Sequence, residues 1–365
     1  MLHSTLIICA VLAAPGASDT DAPLPETRSF RMGFTPFPYD ITLPAVTWVE
    51  SFIHENADIV AIHFEGVPWA EAHSGDPFHP KITEDWDRQK KATPPGGEVY
   101  VAVSPLNLGR DDLAGYRAAE EGLPIPEPLA GRSFDDPLVV AAYTKYCLRA
   151  VDALEPDYLA IGIEINELFH NGRPKWDAYV TLHQRVYEAI KREHPELPIL
   201  ASFTLHNMLN PEWTDREDML AAYKDLLPYM DAVGVSFYPF MANLAGDMDR
   251  ALAWLDAEFG QSGKPFVFTE TGQPAETLVL ESYGVTIPTD AQLQRDVLAK
   301  ILTFAHDHDC DFIIWYATRD YDALWEKIRE RSPEFFKAWK DCGLVDGDGV
   351  ERPALDLWRE HLGID

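Results

Sequence analysis

Eight short apolar segments recur along this chain, and amphipathic stretches of helical period run between many of them. The segments are Phe30–Thr35, Ile59–Glu65, Val99–Ser104, Tyr158–Glu164, Ile199–Thr204, Ala232–Tyr238, Phe266–Glu270 and Phe312–Trp315. The stretches between them include Leu138–Leu154, Trp176–Arg192, Glu217–Tyr229, Met248–Phe259 and Ala291–His306. Such alternation predicts a parallel sheet covered by helices. An open doubly wound sheet usually places a Gly-rich phosphate turn after its first strand, and Gly33-Phe34-Thr35-Pro36-Phe37-Pro38 is not one. The expected fold is therefore α/β, a single-domain (β/α)8 TIM barrel, which 365 residues are enough to build.

Charge narrows the partners. Sixty acidic against thirty basic residues leave a formal charge of −30. Such a surface repels nucleic acid and anionic membranes. Residues 1–18 read as a signal peptide, with an apolar run from Leu6 to Ala14 and small residues at Gly16-Ala17-Ser18. Residues 19–28 read as a linker and 29–365 as the catalytic domain, so the expected location is secreted or periplasmic. Cys147, Cys310 and Cys342 remain after the cut. An odd number leaves at least one thiol free, while Cys310 and Cys342 either pair or do not. No spacing resembles a zinc site, Gly343–Gly349 reads as a polar turn rather than a calcium loop, and neither metal nor cofactor is expected.

In a barrel of this kind, chemistry sits where the strands end. In Leu159-Ala160-Ile161-Gly162-Ile163-Glu164-Ile165, large branched residues alternate with small ones and a carboxylate. Period-2 geometry sends Leu159, Ile161, Ile163 and Ile165 outward, and Ala160, Gly162 and Glu164 toward the axis. Thr269-Glu270-Thr271-Gly272 offers a second carboxylate. Around the pair the strand ends supply His63, Glu65, Ser104, Asn107, Arg110, Ser202, His206, Ser236, Tyr238, Trp315 and Asp320. His63, Glu65 and His206 are either structural hydrogen-bonders or ligand binders. Long connections, Gly66–Pro95 with Trp69 and Leu106–Pro137 with Arg110, would wall a cleft. No Lys for a Schiff base stands among these strand ends, and there is no Gly-x-Ser-x-Gly elbow. Paired carboxylates among aromatic and amide groups suit glycoside cleavage.

Three strand ends carry a resemblance. Pro156-Asp157-Tyr158-Leu159-Ala160-Ile161-Gly162-Ile163-Glu164-Ile165-Asn166 resembles the fourth-strand motif of glycoside hydrolase family 53, the endo-β-1,4-galactanases. Asp231-Ala232-Val233-Gly234-Val235-Ser236-Phe237-Tyr238-Pro239-Phe240 is similar to that family's sixth strand, and Thr269-Glu270-Thr271-Gly272 to the seventh-strand nucleophile motif of clan A. The resemblance implies a retaining mechanism with Glu164 as acid/base, Glu270 as nucleophile and Tyr238 orienting Glu270. It departs at Ile163, where clan A enzymes usually carry an Asn that contacts the sugar 2-hydroxyl. Asn166-Glu167 supplies the Asn-Glu dipeptide three residues later, but Glu167 shares the parity of the outward residues, which favours Glu164.

The expected substrate is an oligo- or polysaccharide, cleaved internally by a galactanase-like retaining β-glycosidase. Trp69, Trp176 and Trp315 are expected to stack on sugar faces, with His63, Glu65, Asn107, Arg110, Asn166, His206 and Asp320 as further contacts. The rivals are an exo-acting or different-linkage clan A β-glycosidase and a carbohydrate-binding barrel without turnover. Oligomeric state is not readable from the sequence.

Overall fold

The computed structural model describes residues 28–364. The expected signal peptide and nearly all of the linker lie outside the described residues. Nine parallel strand segments form one sheet that curls into a barrel. In chain order the barrel strands are Arg31–Phe34, Ile59–Phe64, Glu98–Val103, Tyr158–Ala160, a fifth strand in two pieces, Val233–Phe237, Phe266–Thr271 and Cys310–Trp315. The fifth strand's first piece, Ile199–Leu200, pairs with the fourth strand, and its second, Ser202–Thr204, pairs with the sixth. Only Ala201 separates the pieces, so the ring closes through one strand. The first and eighth strands pair in register over four residues. This is the (β/α)8 barrel that the alternation predicts.

Two apolar layers hold the barrel. Outward residues such as Val60, Ile62, Val101, Phe203 and Phe268 pack against the helices, while Ile59, Ala61, Tyr100, Ala102, Phe312 and Ile314 fill the axis. The helices follow their predicted stretches closely. Pro137–Leu154 opens on an Asp136 side chain that accepts from the Leu138 amide, and Ala291–Asp307 opens on Asp290, which caps Leu293. These caps satisfy amides that a helix start leaves unpaired. Gly33 marks the tightest seam, since a Cβ there would lie 2.0 Å from the Ile59 carbonyl oxygen.

The fourth strand departs from the predicted pattern. It ends at Ala160, and Ile161–Ile165 is irregular chain leading into a short helix, Asn166–Asn171. Ile163 turns into the barrel interior, whereas a Cβ on Gly162 would point outward, 2.4 Å from Tyr179 Oη. Strict alternation therefore breaks after Ala160.

Excursions after the strands build the mouth. After the second and third strands, the loops join through a bridge between Val67 and Tyr116 and an Arg117–Asp85 ion pair at 2.7 Å. After the seventh, a hairpin pairs Leu278–Leu280 with Val285–Ile287. It is fastened to a turn of helix at Glu334–Trp339. Glu334 accepts from the amides of Glu281 (2.8 Å) and Ser282 (2.7 Å), and Lys337 Nζ donates to the Val279 carbonyl at 2.9 Å. Among the described residues the three cysteines, Cys147, Cys310 and Cys342, are buried and free, so Cys310 and Cys342 do not pair.

Candidate active site

Both carboxylates reach the mouth through local breaks in regular structure. Glu164 has φ +52°, left-handed backbone that a β-carbon disfavours, and its amide donates to Ser202 Oγ at 3.0 Å. Glu270 arrives by a bulge. Val235 and Ser236 of the sixth strand pair with Phe268 and Glu270, leaving Thr269 unpaired, and the eighth strand slips at the same level. Parity alone would turn Glu270 outward beside Phe266 and Phe268; the extra residue turns it in.

Each carboxylate has its own partners. Tyr238 Oη donates to Glu270 Oε2 at 3.1 Å, and His63 Nδ1 sits 3.1 Å from Oε1. Ser236 Oγ donates to Glu164 Oε1 at 2.9 Å, while Arg110 reaches Oε2 at 3.3 Å. Burial pushes Glu164 up and the negative charge of Glu270 adds to it; Arg110 works the other way, and the result lies above the ordinary carboxylate value. His63 also faces Glu65 at 3.4 Å. Burial would depress its imidazole, but the bonds to Glu270 and Glu65 prevail and raise it to about 10, so His63 is a cation at neutral pH. Glu65 lies below its ordinary value because Arg110 and His63 outweigh the opposing effect of burial.

The remaining predicted residues separate into the site and the scaffold. His63, Glu65 and Arg110 are in the mouth. His206 is buried beneath Tyr238, where Nδ1 accepts from the Tyr238 amide at 3.3 Å, and burial depresses it to about 3. It is a neutral prop. Asn166 is fully buried and gives its side chain to Thr204, donating to Oγ1 at 2.9 Å and accepting from the amide at 2.8 Å. Asn107 folds onto Asp111, and its carbonyl accepts from Arg110, so it shapes the loop that aims the guanidinium. Glu167 is buried against Thr204 and Asn207, and burial pushes it up to about 7.

Five expected sugar contacts are corrected. Trp69 and Trp315 have no exposed surface and Trp176 is buried too, so none presents a face to a sugar. Their indole or ring contacts are structural: Trp69 donates to Ala114 O, Trp315 to Cys342 O, and Trp176 packs on Phe169 and Tyr179. Asn166 and Asp320 are likewise scaffold. Asp320 is fully buried and paired with Arg352 at 2.6 and 2.7 Å. Glu276, Asp320 and Asp341 lie close enough to suggest a cation site, but each already pairs with a side-chain cation, Glu276 and Asp320 with Arg352 and Asp341 with Lys340.

The aromatic wall is elsewhere. Tyr316 lies 6.1 Å, centroid to centroid, from both Tyr238 and Phe37, and Trp339 lies 5.8 Å from Tyr238. All but Tyr238 are half-buried, beside the groups that hold Glu270. Phe312 and Ile314 point into the barrel, so period 2 assigns Tyr316, not Trp315, to the inner face; that signal was present in the sequence.

No protein-family model matches the chain, and no curated protein sequence does. Solved structures do match. GH5_18 from Streptomyces cattleya, in complex with Manβ1-4GlcNAc, aligns with 92% of this chain and 80% of its own at TM-score 0.65 and 16% identity. An exo-β-1,4-mannosidase from Opitutaceae bacterium strain TAV5 aligns with 92% of this chain and 59% of its own at 0.58 and 14%. A fungal β-1,4-galactanase aligns with 87% of this chain and 91% of its own at 0.54 and 16%. What this chain shares with them at such identities is the fold, a (β/α)8 barrel.

Proposed function

We propose that this chain is a retaining clan A β-glycoside hydrolase that cleaves an oligo- or polysaccharide by double displacement. The observation that carries the reading is the pairing at one barrel mouth of two carboxylates in opposite settings. Glu270 accepts a hydrogen bond from Tyr238 and lies 3.1 Å from His63; Glu164 is half-buried, and burial and a nearby like charge favour its protonated form. Glu270 attacks the anomeric carbon while Glu164 passes its proton to the departing oxygen. Water then attacks that carbon, its proton goes to Glu164, and the bond to Glu270 breaks. Tyr316, Trp339 and Phe37 form the sugar platform in place of the three buried tryptophans.

The substrate reading is a β-1,4-linked hexoside polymer, cut internally. It rests on the strand-end likeness to galactanases and on the β-1,4 linkage named for each of the three structural neighbours. The test is hydrolysis of β-1,4-galactan, β-1,4-mannan and Manβ1-4GlcNAc by the wild type and by Glu164→Gln, Glu167→Gln and Glu270→Gln. Product stereochemistry is followed by NMR. Retention of configuration, with loss of turnover in the first and third variants only, is the expected result. Glu167→Gln failing where Glu164→Gln succeeds would transfer the acid/base role to Glu167. A wild type that binds these glycans without cleaving any would favour the binding-barrel reading, toward which the apolar Ile163 points.

A further inference from the structure

We propose that Glu65 is a positioning residue that ties both reacting carboxylates into one charge bridge and thereby governs when Glu164 holds its proton. The inference rests on the double-displacement reading above. The bridge runs Glu270, His63, Glu65, Arg110, Glu164. Its outer links are 3.1 Å (His63 Nδ1 to Glu270) and 3.3 Å (Arg110 to Glu164). Its inner links converge on one atom: Glu65 Oε1 lies 3.4 Å from His63 Nε2 and 3.7 Å from the same Arg110 nitrogen that reaches Glu164. Anions and cations alternate along it. Among the described contacts, the Glu65 carboxylate meets only these two cations and no main-chain amide.

The arrangement fits the two steps. During attack, Glu270 is ionised and Glu164 protonated; once the sugar is attached to Glu270, Glu164 is ionised and Glu270 carries no charge. In each stage one reacting carboxylate and Glu65 balance His63 and Arg110, so the bridge stays neutral throughout. Without Glu65, Arg110 would turn its whole charge on Glu164 and strip the proton that the first step requires. Other groups border the bridge but do not complete it. Glu167 lies behind Glu164 on the Thr204 and Asn207 side chains, Tyr238 and Tyr316 flank Glu270, and Tyr146 stands behind Glu65.

The experiment follows the carboxyl carbons of 13C-labelled glutamate by NMR across pH in the whole protein, with Glu164→Gln assigning the Glu164 signal. Glu65→Gln removes a negative charge near Glu164 and frees Arg110, so the Glu164 midpoint should fall by about one pH unit. Arg110→Gln should raise it by a similar amount. The basic limb of the kcat/KM profile, which reports that proton in the free enzyme, should move the same way in each variant. An unmoved midpoint in Glu65→Gln, or shifts of the same sign in both variants, would overturn the proposal. So would a loss of activity in Glu65→Gln with the limb unmoved, because a merely structural carboxylate behaves that way. Should Glu65→Gln not fold, the Arg110→Gln arm decides alone, and no upward shift there refutes the bridge. Failure of the double-displacement reading is seen separately, as full turnover by Glu270→Gln or as no hydrolysis by the wild type.

Discussion

Asp320 was a candidate sugar contact in the sequence and is a buried ion-pair partner in the structure, which makes its replacement informative. Its side chain has no exposed surface and that of Arg352 only 7%. Both Asp320 oxygens accept from Arg352, at 2.6 and 2.7 Å, and Oδ1 also accepts from the Gly343 amide at 2.9 Å. Asp320→Asn leaves the guanidinium buried with an amide nitrogen turned toward it. Breaking one side of a buried pair costs about 3–5 kcal/mol. With a urea m-value of about 3 kcal/mol/M, the midpoint should drop by about 1 to 1.7 M, with fluorescence and circular dichroism coinciding. The double replacement Asp320→Leu with Arg352→Met removes both charges and should recover most of the loss, since the pair's desolvation disappears with it. An unchanged midpoint in Asp320→Asn together with lost hydrolysis would refute this reasoning and return Asp320 to the substrate.

Other outcomes follow from the same contacts. Tyr238→Phe removes a charge-assisted hydrogen bond to Glu270 worth about 1.5–3 kcal/mol, so kcat should fall roughly 10- to 150-fold with melting unchanged; an effect confined to KM would contradict the orienting role. Tyr316→Ala should raise KM for a saccharide about 2- to 12-fold, corresponding to about 0.5–1.5 kcal/mol of stacking, and should cost less stability than replacing the fully buried Trp315 does. Trp315→Ala should cost about 3–5 kcal/mol of stability. The reverse pattern would reinstate Trp315 as the platform. Burial depresses His206 to about 3 and His183 to about 4. Their contribution to stability is therefore complete above pH 6.5 and is lost as pH falls toward 4 and then 3, at about 1.4 kcal/mol per pH unit for each. His63, raised to about 10, contributes in the opposite window, complete below 6.5 and lost as pH climbs through 10. Denaturation of His206→Gln against pH should show a shallower acid side than the wild type; an identical slope would sink the assignment.

Periodicity made most of the barrel legible. The second strand reads Ile59, Ala61, His63 inward and Val60, Ile62, Phe64 outward, and the structure agrees, because a regular ladder enforces period 2. The same rule failed at Glu164 and Glu270, where the ladder is irregular. At 164 the strand had already ended and a left-handed residue aims the side chain. At 270 an extra residue resets parity. Neither a bulge nor a positive φ at glutamate leaves a compositional trace, so the correct identity of the inward carboxylate at 164 was reached through a parity that does not hold there. The tryptophans misled for a different reason. An indole N–H finds a backbone carbonyl inside a protein as readily as its ring finds a sugar, and the letters do not distinguish the two. Arg110 was placed in the mouth, but its role there depends on a loop conformation that only the structure supplies.

The fastening of Glu334 to the amides of Glu281 and Ser282 has a consequence for access. It welds the excursions beyond the seventh and eighth strands into one jamb beside Glu270, while the Val67–Tyr116 bridge makes a second jamb across the doorway. On the endo-acting reading proposed above, a polymer entering between the two posts would thread lengthwise instead of prising them apart. Cutting the Glu334 fastening would turn one post into a swinging door.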